Sequence, residues 1–197
     1  MSRATAALFH RVQTAPAYAA VHEQAVGLVG PAATGATWLD VGCGPGLVAR
    51  LAAEQGYEVL GVDLDPAMIR AADRRGARSG LHFAVGALGA DLPPADVVSA
   101  ASLVCQLPDP AAGVAALWDL VRPGGVLLVV ETTGQMSRRT VRAASAHHDR
   151  HSRLVLDRWA GARTGRAIPP SVFDVLPADH LVVPLLGGAV QARLATR

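Results

Sequence analysis

A chain of 197 residues with 51% apolar and only 17% charged residues has the makings of one globular domain. It needs no metal or disulfide staple and lacks the polar, charged composition of a disordered chain. The formal charge of +2 is too small a basic excess for a nucleic-acid binder, which must neutralise phosphates, so a small molecule is the expected partner. Cys43 and Cys105 lack the paired spacing of a disulfide framework or zinc site, and no run reaches the roughly 20 apolar residues of a membrane span; a cytoplasmic monomer or homodimer without metal is expected.

In chain order, Ala4 to Val29 reads as one or two amphipathic helices broken at Pro16, the core of a helical cap over residues 1–35. Short Val- and Leu-rich runs then alternate with Ala-rich helical patterns, the order expected of an α/β fold with parallel strands and crossover helices. Strands are predicted at Thr37–Val41, Glu58–Asp63, Leu81–Val85, Asp96–Ala100 and Gly125–Glu131, and helices near Gly46–Gln55, Pro66–Arg75 and Pro110–Val121. Pro66 and Pro110 suit helix starts, where the missing N–H costs nothing, and the Arg122-Pro123-Gly124-Gly125 turn ends the third helix. After Glu131 comes a long Arg-rich helical stretch within a lid-like insertion at 132–170, and then two apolar runs split by Gly187-Gly188 that read as an antiparallel hairpin.

The sharpest motif is Trp38-Leu39-Asp40-Val41-Gly42-Cys43-Gly44-Pro45-Gly46, an apolar strand running into three glycines at alternate positions and then a helix. A dinucleotide loop would place its third glycine one residue later, where this chain has Leu47, because a pyrophosphate must sit on the helix N-terminus. Asp40 would repel a pyrophosphate but suits a ligand bearing an ammonium and a sulfonium. Asp63 closes the second strand 21 residues past Gly42, close to the roughly 20 at which such an acid reaches ribose hydroxyls.

With LDVGCGPG, GVDLDPAMI and RPGG in place, the chain resembles the class I, Rossmann-like S-adenosylmethionine-dependent methyltransferases, in their small-molecule branch, over roughly Trp38 to Glu131. The resemblance implies a seven-stranded, mostly parallel sheet with helices on both faces and a reversed last strand, agreeing with the terminal hairpin. It implies S-adenosyl-L-methionine as cofactor and S-adenosyl-L-homocysteine as product. Asp40 would face the methionine amino end, and Gly42, Cys43 and Gly44 would line the methionyl and ribose portion of a loop closed by Gly46. Asp63 would hold the ribose, Leu64 and Met68 would pack near adenine, and Gly86-Ala87-Leu88 would form the adenine loop. An Asp commonly stands where this chain has Ala87, and Asp91 is its possible substitute. The stretch from Ser102 to Asp109 corresponds to the segment beside the transferred methyl, with Cys105 and Gln106 as departures that shape the pocket.

Cys43 reads as a small packing side chain, since no activating base accompanies it. Met136 to Arg166 carries eight Arg with His147, His148 and His151, and reads as a lid whose arginines hold an anionic substrate. His148 or His151 would be the general base, with Glu131 as a rival. His10 and Tyr18 stay outside the catalytic set. The function implied is methyl transfer to a small-molecule acceptor; the alternative is a noncatalytic cofactor-binding or scaffold protein.

Overall fold

The structure, a computed structural model, describes Val12 and residues 15–197; His10 lies outside them. A seven-stranded sheet in the order β3-β2-β1-β4-β5-β7-β6 forms the frame. Its strands are β1 (Thr37–Val41), β2 (Glu58–Asp63), β3 (Leu81–Val85), β4 (Ala95–Ala101), β5 (Val121–Thr132), β6 (His180–Leu185) and β7 (Val190–Thr196). The five strands β1 to β5 are mutually parallel, whereas β7 runs antiparallel to both β5 and β6. The predicted fold class and terminal hairpin are therefore both present, with β7 as the reversed strand.

Local chemistry explains the helices. Pro occupies the first turn of α1 (Pro16–Gly27), α3 (Pro66–Asp73) and α4 (Pro110–Asp119), where its missing N–H goes unneeded. Asp65 caps α3 by accepting from Ala67 N at 2.8 Å, and Asp109 caps α4 by accepting from Ala112 N at 3.0 Å. Between β1 and β2 lies α2 (Leu47–Glu54). Two apolar clusters sandwich the sheet. One gathers Tyr18, Val21, Val48, Leu156 and Trp159; the other gathers Val114, Leu117, Trp118 and Phe173.

Two expectations are corrected by this geometry. The turn at Arg122 to Gly125 does not precede the fifth strand but lies inside it, looping out as the pairing with β4 shifts register between Ala95 and Val97. The Arg-rich stretch is not one helix: α5 (Arg138–Ala144) and α6 (Arg150–Arg163) are separated by a turn, with Asp149 capping α6 by accepting from Ser152 N at 3.0 Å. Leu156, Trp159 and Ala160 hold α6 against α1, so this segment is part of the core on one face of the sheet. Among the described residues no helix is long and apolar enough to cross a membrane.

Candidate active site

A cavity of about 510 Å³ opens at the carboxyl ends of β1, β2 and β4, where ligands of open α/β sheets bind. One wall is the loop after β1. Gly42 N and Cys43 N donate to Val62 O at 2.8 and 2.9 Å, tying the loop to β2. Gly42 and Gly44 line the cavity with φ of 71° and 54°, a left-handed backbone that lets main chain form the wall without side chains. Gly46 serves packing instead. A Cβ there would come 2.5 Å from Phe83 Cζ, with φ at 81°, so the glycine lets α2 seat against β3 and lies outside the cavity lining.

Asp63 sits at the centre of this wall. Its Oδ2 accepts from Gly44 N at 2.9 Å and its Oδ1 from Asp65 N at 2.8 Å. A carboxylate has about four acceptor sites, so capacity remains for donors in the cavity it lines. Leu64, exposed, and Met68, buried, flank it on the same wall. Gly86 N donates to Asp63 O at 3.1 Å and brings the segment after β3 alongside, yet Gly86, Ala87 and Leu88 are half-buried and line no part of the cavity. Asp91 is exposed.

Asp40 and Cys43 lie behind the wall. Trp38 Nε1 donates to Ser99 Oγ, which donates to Asp40 Oδ1, each at 2.7 Å. Burial pushes the Asp40 carboxyl up to about 7, partly offset by the Ser99 bond. The carboxylate is absent from the cavity lining, so its place is under the glycine loop. The Cys43 thiol is buried near Gly61, and burial raises its pKa, which is the environment of a packing residue.

The rest of the lining is made largely of side chains. Ser102, at the end of β4, has a φ of 57°, a left-handed conformation costing a non-glycine residue about 1 kcal/mol, and its N–H donates to Val130 O at 2.8 Å. Its carbonyl accepts from Gln106 Nε2, and its hydroxyl pairs with the Tyr18 phenol arriving from α1. Tyr18 is held between His22, at 4.5 Å, and the edge of Trp159, at 5.2 Å. Burial pushes its pKa up to about 12, so the phenol stays protonated.

Arg163, the C-terminal residue of α6, lines the cavity with only 4% exposure, and its Nη1 lies 3.4 Å from Cys105 Sγ. Beneath them Glu131, buried at the end of β5, accepts from Cys105 N at 3.3 Å. Burial raises the Glu131 carboxyl, and the nearby Arg163 opposes that rise. Burial and Glu131 push Cys105 up to about 11.

The structure does not bring His148 or His151 to the cavity. His151 is exposed on the first turn of α6, 12 positions before Arg163, which at 1.5 Å per residue is about 18 Å along the helix. His147 and His148 stack on each other at 4.1 Å in the preceding turn. Sequence reasoning set Tyr18 aside and did not single out Arg163. A signal for Arg163 was present: Ser152, Leu156, Trp159 and Ala160 form the buried stripe of α6, and Arg163 continues it at the same period, unlike the exposed Arg150, Arg153 and Arg158.

Sheet order, the reversed β7 and a glycine-walled cavity against an acid at the end of β2 are the arrangement expected of the class I, Rossmann-like S-adenosylmethionine-dependent methyltransferases, which the chain resembles. Residues 39–129 match the family model described as a methyltransferase domain. A ubiquinone biosynthesis O-methyltransferase of Xylella fastidiosa is 40% identical over 102 residues, 49% of this chain and 42% of that protein. A trans-aconitate 2-methyltransferase of Methylobacterium radiotolerans is 31% identical over 162 residues, 80% of this chain and 62% of that protein. The chain thus spans less than two thirds of the length of either relative. In fold it resembles the plantazolicin methyltransferase BpumL in complex with S-adenosylhomocysteine, with a TM-score of 0.65 at 11% identity, covering 99% of this chain and 90% of that one.

Proposed function

We propose that the protein binds S-adenosylmethionine and transfers its methyl group to a small-molecule acceptor. The observation that carries this reading is the single cavity wall on which Gly42, Gly44 and the Asp63 carboxylate meet. The fit is chemical: bare backbone allows close approach of a methionyl chain, and Asp63 retains acceptor capacity for two ribose hydroxyls. The Asp40 carboxyl lies behind the loop, outside the cavity lining, and an ammonium bound at the glycine turn would favour its ionised form. When bound, the cofactor supplies an electrophilic methyl on a sulfonium.

The remaining work falls to the chain's own residues. Ser102, Tyr18 and Arg163 line the same cavity as the cofactor loop, so an acceptor bound beside them is held near the methyl and shielded from water. Because cofactor and acceptor share about 510 Å³, the acceptor is small. Glu131, the rival to the histidines, is absent from the cavity lining and accepts from Cys105 N, so it supports this part of the lining from behind.

Calorimetric titration with S-adenosylmethionine, S-adenosylhomocysteine and NAD tests the reading. Micromolar binding of the two adenosyl ligands, without NAD, is expected; binding of NAD alone, or of none, overturns it. Binding without turnover across a broad acceptor panel would instead favour the noncatalytic alternative.

A further inference from the structure

We propose that cofactor binding is coupled to loss of a proton from Asp40, so that the protein takes up adenosyl ligands bearing an α-ammonium more tightly as pH rises. This rests on the methyltransferase reading and adds a proton to its binding step. Asp40 lies in β1 two residues before Gly42, whose main chain lines the cavity, and at 1% exposure it has no water to solvate a charge. Trp38 Nε1 donates to Ser99 Oγ, which leaves the Ser99 proton for Asp40 Oδ1 at 2.7 Å. Oδ2 carries no hydrogen bond. A carboxylate has about four acceptor sites, so one donated bond leaves an ionised Asp40 poorly supported.

The surrounding groups supply no positive charge. Ser99 faces the carboxyl from β4, the Cys43 thiol from the loop and the dipole of the Ala49 amide from α2, while the Asp63 carboxylate of β2 opposes a second negative charge. Arg50, next along α2, turns away to Ala72 O and Gly76 O. Asp40 forms no ion pair among the described residues. Burial therefore keeps a proton on it in the ligand-free chain. An adenosyl amino acid brings an α-ammonium, which bare glycine main chain admits to the turn above Asp40. That cation favours the ionised form; the Asp40 proton leaves to solvent and the ligand keeps its own. The complex then holds fewer protons than the free chain, so affinity rises with pH up to about 7 and levels off above it.

The test is calorimetric titration of the full chain with S-adenosylhomocysteine and with methylthioadenosine, which lacks the amino-acid end. S-adenosylhomocysteine is expected to bind about tenfold more tightly at pH 7.5 than at pH 5.5. At pH 6.5 its binding heat should differ between phosphate and imidazole buffers in the sense of proton release. Methylthioadenosine should show neither effect. Asp40→Asn, neutral and of the same shape, should bind S-adenosylhomocysteine within about threefold of wild type at pH 5.5, about tenfold more weakly at pH 7.5, and without buffer dependence. Ser99→Ala removes a donor that favours the ionised form, so it should move the pH profile upward. Binding of S-adenosylhomocysteine without proton release, equal release with methylthioadenosine, or a pH dependence that survives in Asp40→Asn would overturn the coupling and leave the cofactor reading standing. If neither ligand binds wild type at any pH, the cofactor reading itself falls and takes the coupling with it.

Discussion

One part of the cavity lining comes from the ends of two adjacent parallel strands and the loops that follow them: the main chain of Gly42 and Gly44 after β1, and Asp63 at the end of β2 with Leu64, Asp65 and Met68 beyond it. Another part is side chains from α1, β4 and α6, with Tyr18, Ser102 and Arg163 meeting from 145 positions of chain. The first part is set by backbone conformation, which a short motif specifies completely. The second is set by how α1 and α6 pack on the sheet, which no short motif specifies. That difference separates what a local motif encodes from what tertiary packing assembles.

The comparison can be broken first through acidity, at Asp40 behind the backbone wall. The folded chain keeps this carboxyl protonated up to about pH 7, whereas an unfolded chain releases the proton near the ordinary value of 3.8, so stability falls as pH rises through that window. The rise corresponds to about 4 kcal/mol at full ionisation. Denaturant unfolding of the ligand-free protein at pH 5 and pH 8 should show the decline, and Asp40→Asn should flatten it; an unchanged slope in the variant would place the titrating group elsewhere.

Gly46→Ala comes next. Left-handed backbone and the approach to Phe83 together cost about 3 kcal/mol of unfolding free energy, read from the midpoint of a urea curve. Asp63→Ala should weaken S-adenosylhomocysteine binding by about 2 kcal/mol, roughly 30-fold, in a chain that still folds. The smallest effect sharpens the contrast from the opposite side: His148→Ala and His151→Ala should each leave stability within about 0.5 kcal/mol and cofactor affinity unchanged, since neither touches either wall. A large loss of methyl transfer in either variant would return α6's first turn to the site.

What could be read without coordinates follows the same division. The strand runs, Pro66 and Pro110 as helix starts, the glycine loop and Asp63 are local signals, and the helix starts, the terminal hairpin and the strands other than the start of β5 stand where they were expected. The histidine cluster misled because spacing along a helix says which residues share a face but not where along the molecule that face ends. His148 and His151 sit at one end of α6, and the cavity lies at the other. Tyr18 was unreadable for a different reason: a tyrosine on an apolar helix stripe usually fills core, and Tyr18 does so with its ring while its hydroxyl reaches Ser102. The internal turn of β5 escaped because a glycine pair after a helix reads as a terminator, while strand register depends on the partner β4.

The position of β7 bears on how the chain is made. Residues Val190–Thr196 insert between β5 and β6, pairing with both, although they are synthesised after either. Until they emerge from the ribosome, β5 keeps an open, apolar edge including Leu128 and Val130, and β6 has nothing to join. The sheet therefore closes in one late step rather than strand by strand, and a nascent chain stalled before Val190 carries a ready template for pairing with its neighbours.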